Sequence, residues 1–122
     1  MEYNKHKLTL CTFNCRSVKS SIDEILNLCQ TGDIIFLQEH WLLTHELNIL
    51  SEIHAEFLAD GQSSVDSSAG LLVGRPYGGT GILYRKSLAP HMSIIPTTES
   101  RLTAVTMMTD YGPVLFICVH AY

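Results

Sequence analysis

The chain has 122 residues, of which 46% are hydrophobic and 16% are charged, and its mean hydropathy is +0.15. This composition is typical of a single folded domain and excludes an intrinsically disordered chain. The net charge is −4, which does not by itself nominate a nucleic-acid binder. The longest apolar stretch, Val114–Val119, is far shorter than the roughly 18 to 20 residues of a membrane helix, so we expect no membrane span.

Strand and helix patterns alternate from the start of the chain. Residues 8–13 alternate in polarity and are rich in β-forming side chains, which predicts a strand that ends at a polar cluster. Ser21 and Glu24 have the spacing of a capping box. The apolar positions that follow lie on one helical face and predict a helix over 21–30.

The next two elements repeat this alternation. The apolar run within 33–37 predicts a strand buried on both faces, and the polar residues Gln38 and Glu39 follow it at once. Apolar residues at helical spacing over 45–57, with Thr44 available as N-cap, predict a second helix. The order strand, helix, strand, helix is typical of an α/β fold.

The second half of the chain has β-strand character. Residues 59–79 are rich in serine and glycine and predict a surface loop with at most short strands. Further strands are predicted over 80–85, 92–95, 102–109 and 114–121, the last two as a hairpin. Because the last of these strands is the most apolar, we expect it to need a covering layer that this chain does not supply.

Polar groups follow two predicted strands at the point where each strand ends. In an open α/β sheet, ligands bind beyond the carboxyl ends of the strands, where this chain has Asn14 and Glu39. A carboxylate beside a buried strand is costly unless it meets a cation, a metal or good hydrogen bonds. An amide can support a hard metal or orient a neighbour. On the residues alone, a surface ion pair for Glu39 and a turn-forming role for Asn14 remain open alternatives.

Four segments, taken in order, resemble one known family. They are TFNCRSVKS at 12–20, DIIFLQEHWL at 33–42, GGTGILYRKS at 78–87 and VLFICVHAY at 114–122. Together they resemble the endonuclease/exonuclease/phosphatase superfamily, which has the deoxyribonuclease I-like fold. The nearer likeness is to the N-terminal endonuclease domain of non-LTR retrotransposon polyproteins, through the N-x-R-S and L-Q-E-x-W-L strings.

The resemblance implies a fold of the α/β (α+β) class. It is a four-layer α/β/β/α sandwich of the deoxyribonuclease I-like type, of which residues 1–122 would be a partial domain, truncated at its C-terminal side. Since family domains are roughly twice as long, we expect only the N-terminal half, about one sheet, with an apolar face left open.

The resemblance also implies a set of site residues. Asn14 would be the active-site asparagine, and Glu39 would coordinate the divalent metal, Mg²⁺ or Mn²⁺, with Asn14 as a second metal-side residue. Tyr122 would bring its hydroxyl towards the scissile phosphate, and Arg16 would contact phosphate as a substrate-binding residue. A frayed terminal aromatic and a solvated surface arginine are the alternatives for these last two.

Two motifs of the family have no counterpart in this sequence. They are the later D-x-N and S-D-H motifs, whose His and Asp serve the phosphate and the attacking water. His120 has no Asp partner at a comparable position, so we do not expect it to replace that histidine. Loss of proton-transfer catalysis typically costs roughly 10²- to 10⁴-fold in rate, and we therefore expect the chain to be inactive alone.

The resulting prediction is a fragment of a metal-dependent DNA endonuclease domain, a phosphodiester hydrolase of retroelement origin. DNA is the expected partner, and the chain is expected to need the missing half or to associate through its exposed sheet face. A phosphatase or lipid phosphodiesterase of the same superfamily is one alternative. A non-catalytic remnant that acts as an interaction module is another, favoured by the truncation and the acidic charge.

The cysteines and the N-terminus bear on the compartment. The four cysteines lack the spacing of a zinc site and the density of a secreted disulfide scaffold, which predicts reduced, mostly buried thiols. The N-terminus lacks a long apolar segment with a small-residue cleavage site. We therefore expect a cytoplasmic or nuclear protein.

Overall fold

A computed structural model of the protein describes residues 7–64, 77–99 and 101–120. The strands in these residues are β1 (Leu10–Asn14), β2 (Ile34–Gln38), β3 (Phe57–Gln62), β4 (Thr80–Arg85), β5 (Met92–Ile95), β6 (Leu102–Thr109) and β7 (Gly112–Val119). They form a four-stranded sheet in the order β1-β2-β4-β3 and a three-stranded sheet in the order β5-β6-β7. In the first sheet β1 and β2 are parallel, and β4 is antiparallel to both of its neighbours.

The helices are short. They are α1 (Ile22–Cys29) and α2 (Ile49–Glu52), with 3₁₀ turns at Val18–Ser20, Thr44–Glu46 and Lys86–His91. Side chains of both helices share a buried apolar cluster with Ile35, Leu37 and Leu83 of the first sheet. None of the helices in the described part of the chain is long and apolar enough to cross a membrane.

Strand β2 is buried on both faces, as its continuous apolar run predicts. Ile35 and Leu37 pack into the cluster shared with the helices, whereas Ile34 and Phe36 face the second sheet. Successive strand residues point to opposite faces, so a strand covered on both sides needs apolar residues at every position. This strand therefore lies in the middle of the described layers.

The two sheets pack face to face. Ile34 and Ile82 of the first sheet share a buried cluster with Val105 and Cys118 of the second. The prediction that this chain provides about one sheet is therefore wrong, because it provides strands of both. An apolar hairpin can continue an existing sheet or begin another, and here the pairing of β6 with β5 and β7 builds a second sheet.

The outer face of strand β7 is apolar and open to solvent. Leu115, Ile117 and Val119 lie on this face and retain 46–56% of their accessible surface. The expectation of an open apolar face is confirmed within the described residues, although it lies on the second sheet. Association through this face stays a prediction.

The predicted helix over 45–57 is wrong in its extent. It is replaced by the 3₁₀ turn, α2 and then strand β3, which also occupies the start of the predicted loop. Asp60 and Gly61 are poor strand formers, so local preference gave no signal for a strand here. All six residues of β3 pair with β4, and this pairing outweighs the local preference.

The start of α1 also differs from the predicted capping box. Ser21 precedes the helix but makes no side-chain cap; its hydroxyl donates to the carbonyl of Cys15 at 2.7 Å. Ser21 is buried, so its hydroxyl satisfies a tertiary acceptor instead of the helix end. The helix itself spans almost the predicted range.

The cysteines are free thiols, three of them buried, as the sequence predicts. Burial raises the pKa of Cys15 to about 12 and that of Cys29 to about 11. Burial also raises the pKa of Cys118, whose sulfur lies 3.2 Å from the carbonyl oxygen of Leu37. A thiol held protonated in this way is a structural side chain and a poor nucleophile.

Candidate active site

Four strand termini meet at one edge of the described structure. β1 ends at Asn14 and the parallel strand β2 ends just before Glu39, so these side chains emerge side by side. β4 runs in the opposite direction and begins at this edge, directly after Gly79. His120 follows the end of β7 and reaches the same place from the second sheet. Asn14 and Glu39, which the sequence places at the ends of two strands, therefore contact each other at this edge.

Glu39 lies at the centre of this cluster. The Asn14 side-chain amide donates a short hydrogen bond to Glu39 Oε2. His120 Nε2 lies 3.9 Å from the same oxygen. The Glu39 side chain is 23% exposed, so a ligand can reach it from solvent. An accessible carboxylate is thereby oriented by an amide on one side and faces an imidazole on the other.

The backbone on either side of His40 is strained. Glu39 has φ of +56° and Trp41 has φ of +59°, a region that non-glycine residues rarely adopt. Such residues cost of order 1–3 kcal/mol each and persist where surrounding contacts fix them. Here the Glu39 N–H donates to Gly79 O at 2.8 Å and the Trp41 N–H donates to Gly78 O at 3.0 Å.

A second strained turn lies directly opposite. Arg16 and Ser17 have φ of +47° and +87°. The Ser17 N–H donates to Glu39 O at 2.9 Å, and the Val18 N–H donates to His40 O at 3.0 Å. The turns that follow β1 and β2 are therefore hydrogen-bonded to each other beyond the sheet. Strain clustered in this way is typical of functional sites.

His40 is fully buried in the loop that follows β2, which we call the strand-end loop. Its Nε2–H donates to the carbonyl of Gln62 at 2.8 Å, and its Nδ1 accepts from the Leu42 N–H at 2.9 Å. One nitrogen donates and the other accepts, so the ring is a neutral imidazole of defined tautomer. Burial lowers the pKa of His40, which keeps it in that form.

A groove of about 300 Å³ opens beside His120. It is lined by Glu99, Arg101, Leu102, Val119 and His120. Arg101 Nε lies 3.5 Å from Glu99 Oε1, and the Arg101 carbonyl accepts from the His120 N–H at 3.1 Å. The groove places a cationic side chain next to the cluster around Glu39.

The donor set suits a hard divalent cation. Mg²⁺ is usually held by one or two carboxylates and keeps several waters, and an accessible carboxylate beside an amide fits that pattern. Among the described residues, no group of three or more His, Cys, Asp or Glu side chains could hold a metal ion. Asn14 turns its amide nitrogen towards Glu39, so it orients the carboxylate. A direct ligand role for Asn14 stays a prediction.

The other predicted site residues have different outcomes. Arg16 is exposed in the strained turn after β1, where its contact with phosphate stays a prediction. Tyr122 lies outside the described residues. His120 was not predicted to lie in the site, although a histidine at the end of the most apolar strand was an available signal.

This arrangement of strand ends coincides with a match to a known family. A model described as the endonuclease/exonuclease/phosphatase family matches residues 11–121. The chain belongs to the endonuclease/exonuclease/phosphatase family. A search of curated proteins found no match.

Two solved structures are similar to this family member. One is the 3′ phosphatase NExo from Neisseria bound to a product DNA hairpin, at 17% identity and a TM-score of 0.61. The alignment covers 93% of this chain and 41% of that one. The other is the AP endonuclease LMAP from Leishmania major, at 14% identity and a TM-score of 0.66, covering 91% of this chain and 39% of that one.

These structures establish the fold and its extent. The α/β, deoxyribonuclease I-like fold class is confirmed, and the chain spans about two fifths of the length of either structure. The likeness to retrotransposon endonucleases and the cytoplasmic or nuclear location stay predictions.

Proposed function

We propose that this chain carries the metal-binding part of a divalent-metal-dependent phosphodiester hydrolase whose substrate is DNA. The main support for the proposal is one observation: the side chains of Asn14 and His120, from two other strand ends, meet at the accessible carboxylate of Glu39. Membership of the family narrows the chemistry to phosphate-ester hydrolysis. The bound DNA hairpin of the Neisseria structure supports DNA as the substrate class.

Each residue of the site has a separate role in the proposed hydrolysis. A bound Mg²⁺ supplies positive charge that offsets the charge developing on the phosphate oxygens. Glu39 would hold this ion, while Asn14 fixes the direction of the carboxylate. The His120 imidazole can donate a hydrogen bond to a phosphate oxygen placed against Glu39. Arg101 in the adjoining groove can pair with a neighbouring phosphate.

The proposal includes low activity of the 122-residue chain by itself. The sequence lacks the D-x-N and S-D-H motifs that serve the attacking water in the family. The chain also spans about two fifths of either solved relative. A retroelement origin is part of the proposal and rests on the N-x-R-S and L-Q-E-x-W-L strings.

The open apolar face of β7 favours a second candidate, a non-catalytic interaction module. Leu115, Ile117 and Val119 form a contiguous row on that face. Large exposed apolar surfaces mark interaction sites on soluble domains. This candidate does not explain the strained, hydrogen-bonded cluster around Glu39, so we place it second.

A plasmid-nicking assay tests the proposed function. Supercoiled DNA is incubated with Mg²⁺ and either the chain or the complete product of its reading frame. Each protein is tested in its wild-type form and as the Glu39→Gln variant. Glu56→Gln, an exposed carboxylate on the surface, is the matched control. We expect Mg²⁺-dependent nicking by the complete product and at least about 10²-fold weaker nicking by the chain. Nicking should be lost in Glu39→Gln and retained in Glu56→Gln.

The opposite results are equally definite. Nicking that survives Glu39→Gln would remove Glu39 from the site. Parallel assays with a 3′-phosphorylated oligonucleotide and a phosphoinositide distinguish a phosphatase or lipid phosphodiesterase. If neither the chain nor the complete product acts on any of the three substrates, the interaction module becomes the better account.

A further inference from the structure

His40 is the most enclosed polar side chain of the strand-end loop. Its side chain is fully buried, and both ring nitrogens are hydrogen-bonded to backbone groups of Leu42 and Gln62. These partners belong to two separate segments, the loop after β2 and the end of β3. The imidazole therefore joins the Glu39 loop to the far edge of the first sheet.

The ring also fixes the segment that enters β4. A Cβ atom on Gly79 would lie 2.2 Å from His40 Cε1, so the ring occupies the space that any other side chain would need. Gly79 has φ of +91° and accepts the Glu39 N–H, while Gly78 accepts the Trp41 N–H. The His40 ring thus packs beside the two glycines whose carbonyls accept hydrogen bonds from the strained residues Glu39 and Trp41.

We propose that His40 is a positioning residue, whose buried imidazole holds the strained loop so that the Glu39 carboxylate faces Asn14 and His120. The left-handed conformations of Glu39 and Trp41 flank His40 on both sides, and its ring closes the turn to Leu42. The two hydrogen bonds join the loop after β2 to β3, and the ring fills the space beside Gly79, so the imidazole contacts the segments on both sides of Glu39. The role in catalysis rests on the proposed function, whereas the role in loop geometry does not.

Two substitutions separate the hydrogen bonds of His40. In His40→Asn, the side-chain oxygen can still accept from the N–H two residues ahead, as in an Asx turn, and so retains the bond to Leu42. His40→Gln can reach the Gln62 carbonyl but leaves the Leu42 N–H without its acceptor. Leu88→Ala is the matched control, because Leu88 is fully buried beyond the opposite end of β4.

The first readout is amide hydrogen exchange in the metal-free protein, measured at Glu39 and Trp41. We expect His40→Gln to reduce protection at both amides by at least about tenfold more than Leu88→Ala does. We expect His40→Asn to lie between the wild type and His40→Gln. Because exchange is measured without metal, it tests the loop independently of any enzymatic activity.

The second readout is Tb³⁺ luminescence sensitised by the neighbouring Trp41. Changes behind a metal ligand typically lower metal affinity by about 10- to 100-fold, and we expect a loss in this range for His40→Gln. Leu88→Ala should keep the wild-type affinity. Glu39→Gln is included because it tests the metal site at Glu39 independently of the positioning role of His40.

The outcomes have different meanings. Equal protection and Tb³⁺ affinity in the wild type, His40→Asn and His40→Gln would overturn the positioning role. A loss that only matches that of Leu88→Ala would overturn it too, since His40 would then be a core residue. If Glu39→Gln has the Tb³⁺ affinity of the wild type and the exchange results are as expected, the role of His40 in the loop is supported and the metal site at Glu39 is rejected.

Discussion

Glu39→Gln is expected to lower the affinity of the protein for Mg²⁺ or Mn²⁺ by at least about tenfold, because even changes behind a metal ligand cost that much. The substitution keeps the length of the side chain and removes its negative charge. Glu39 is 23% exposed and lies at the edge of the sheet, so the free energy of unfolding should change by less than about 0.5 kcal/mol. Calorimetric titration of both proteins with MnCl₂ measures the difference.

Asn14→Ala provides a graded comparison. It removes the hydrogen bond that orients Glu39 and leaves the carboxylate itself, so its affinity should fall between those of the wild type and Glu39→Gln. Glu56→Gln on the surface should have no effect. A wild-type affinity in Glu39→Gln would show that any divalent ion binds elsewhere.

Arg85→Ala is expected to destabilise the fold by about 3 kcal/mol, the low end for removing one partner of a buried ion pair, because the remaining Asp33 carboxylate keeps a hydrogen bond from the Thr9 N–H. Arg85 Nε lies 3.2 Å from Asp33 Oδ1, and the Asp33 side chain is only 3% exposed. The guanidinium also donates to Cys29 O at 2.7 Å and lies 4.8 Å from the centre of the Phe57 ring. Small domains have about 5–15 kcal/mol of stability in total, so a large fraction of it depends on this side chain.

Urea unfolding of three variants measures this contribution. Arg101→Ala is the control, because its ion pair is solvent-exposed and exposed pairs contribute about 0–1 kcal/mol. Asp33→Asn should cost less than Arg85→Ala, because it leaves no buried charge and the 26% exposed Arg85 can turn towards water. A loss below about 1 kcal/mol in Arg85→Ala would contradict the prediction.

The sequence predicted those elements whose evidence is local. The continuous apolar run of β2 indicated burial on both faces, and the bounds predicted for β4 and β6 agree with those observed. The strand β3 was missed because Asp60 and Gly61 disfavour a strand locally. Its formation depends on pairing with β4, about twenty residues further along the chain, and no local pattern encodes such a partner.

The same distinction applies to the site. Asn14 and Glu39 could be predicted to meet because parallel strands end at a common edge of a sheet. His120 was not placed beside Glu39, since its position depends on the packing of two sheets. The long-range contacts of His40 could not be predicted either, because the Gln62 carbonyl and Gly79 lie about twenty to forty residues further along the chain.

The most direct test of the metal site is paramagnetic broadening by Mn²⁺ in the ¹H–¹⁵N spectrum of the protein. Substoichiometric Mn²⁺ should broaden the resonances nearest Glu39 first, including the side-chain amide of Asn14 and the backbone amide of His120. The effect should disappear on addition of EDTA and in Glu39→Gln. Broadening centred on another part of the protein, or unchanged in Glu39→Gln, would contradict the assignment of Glu39 as the metal-binding carboxylate.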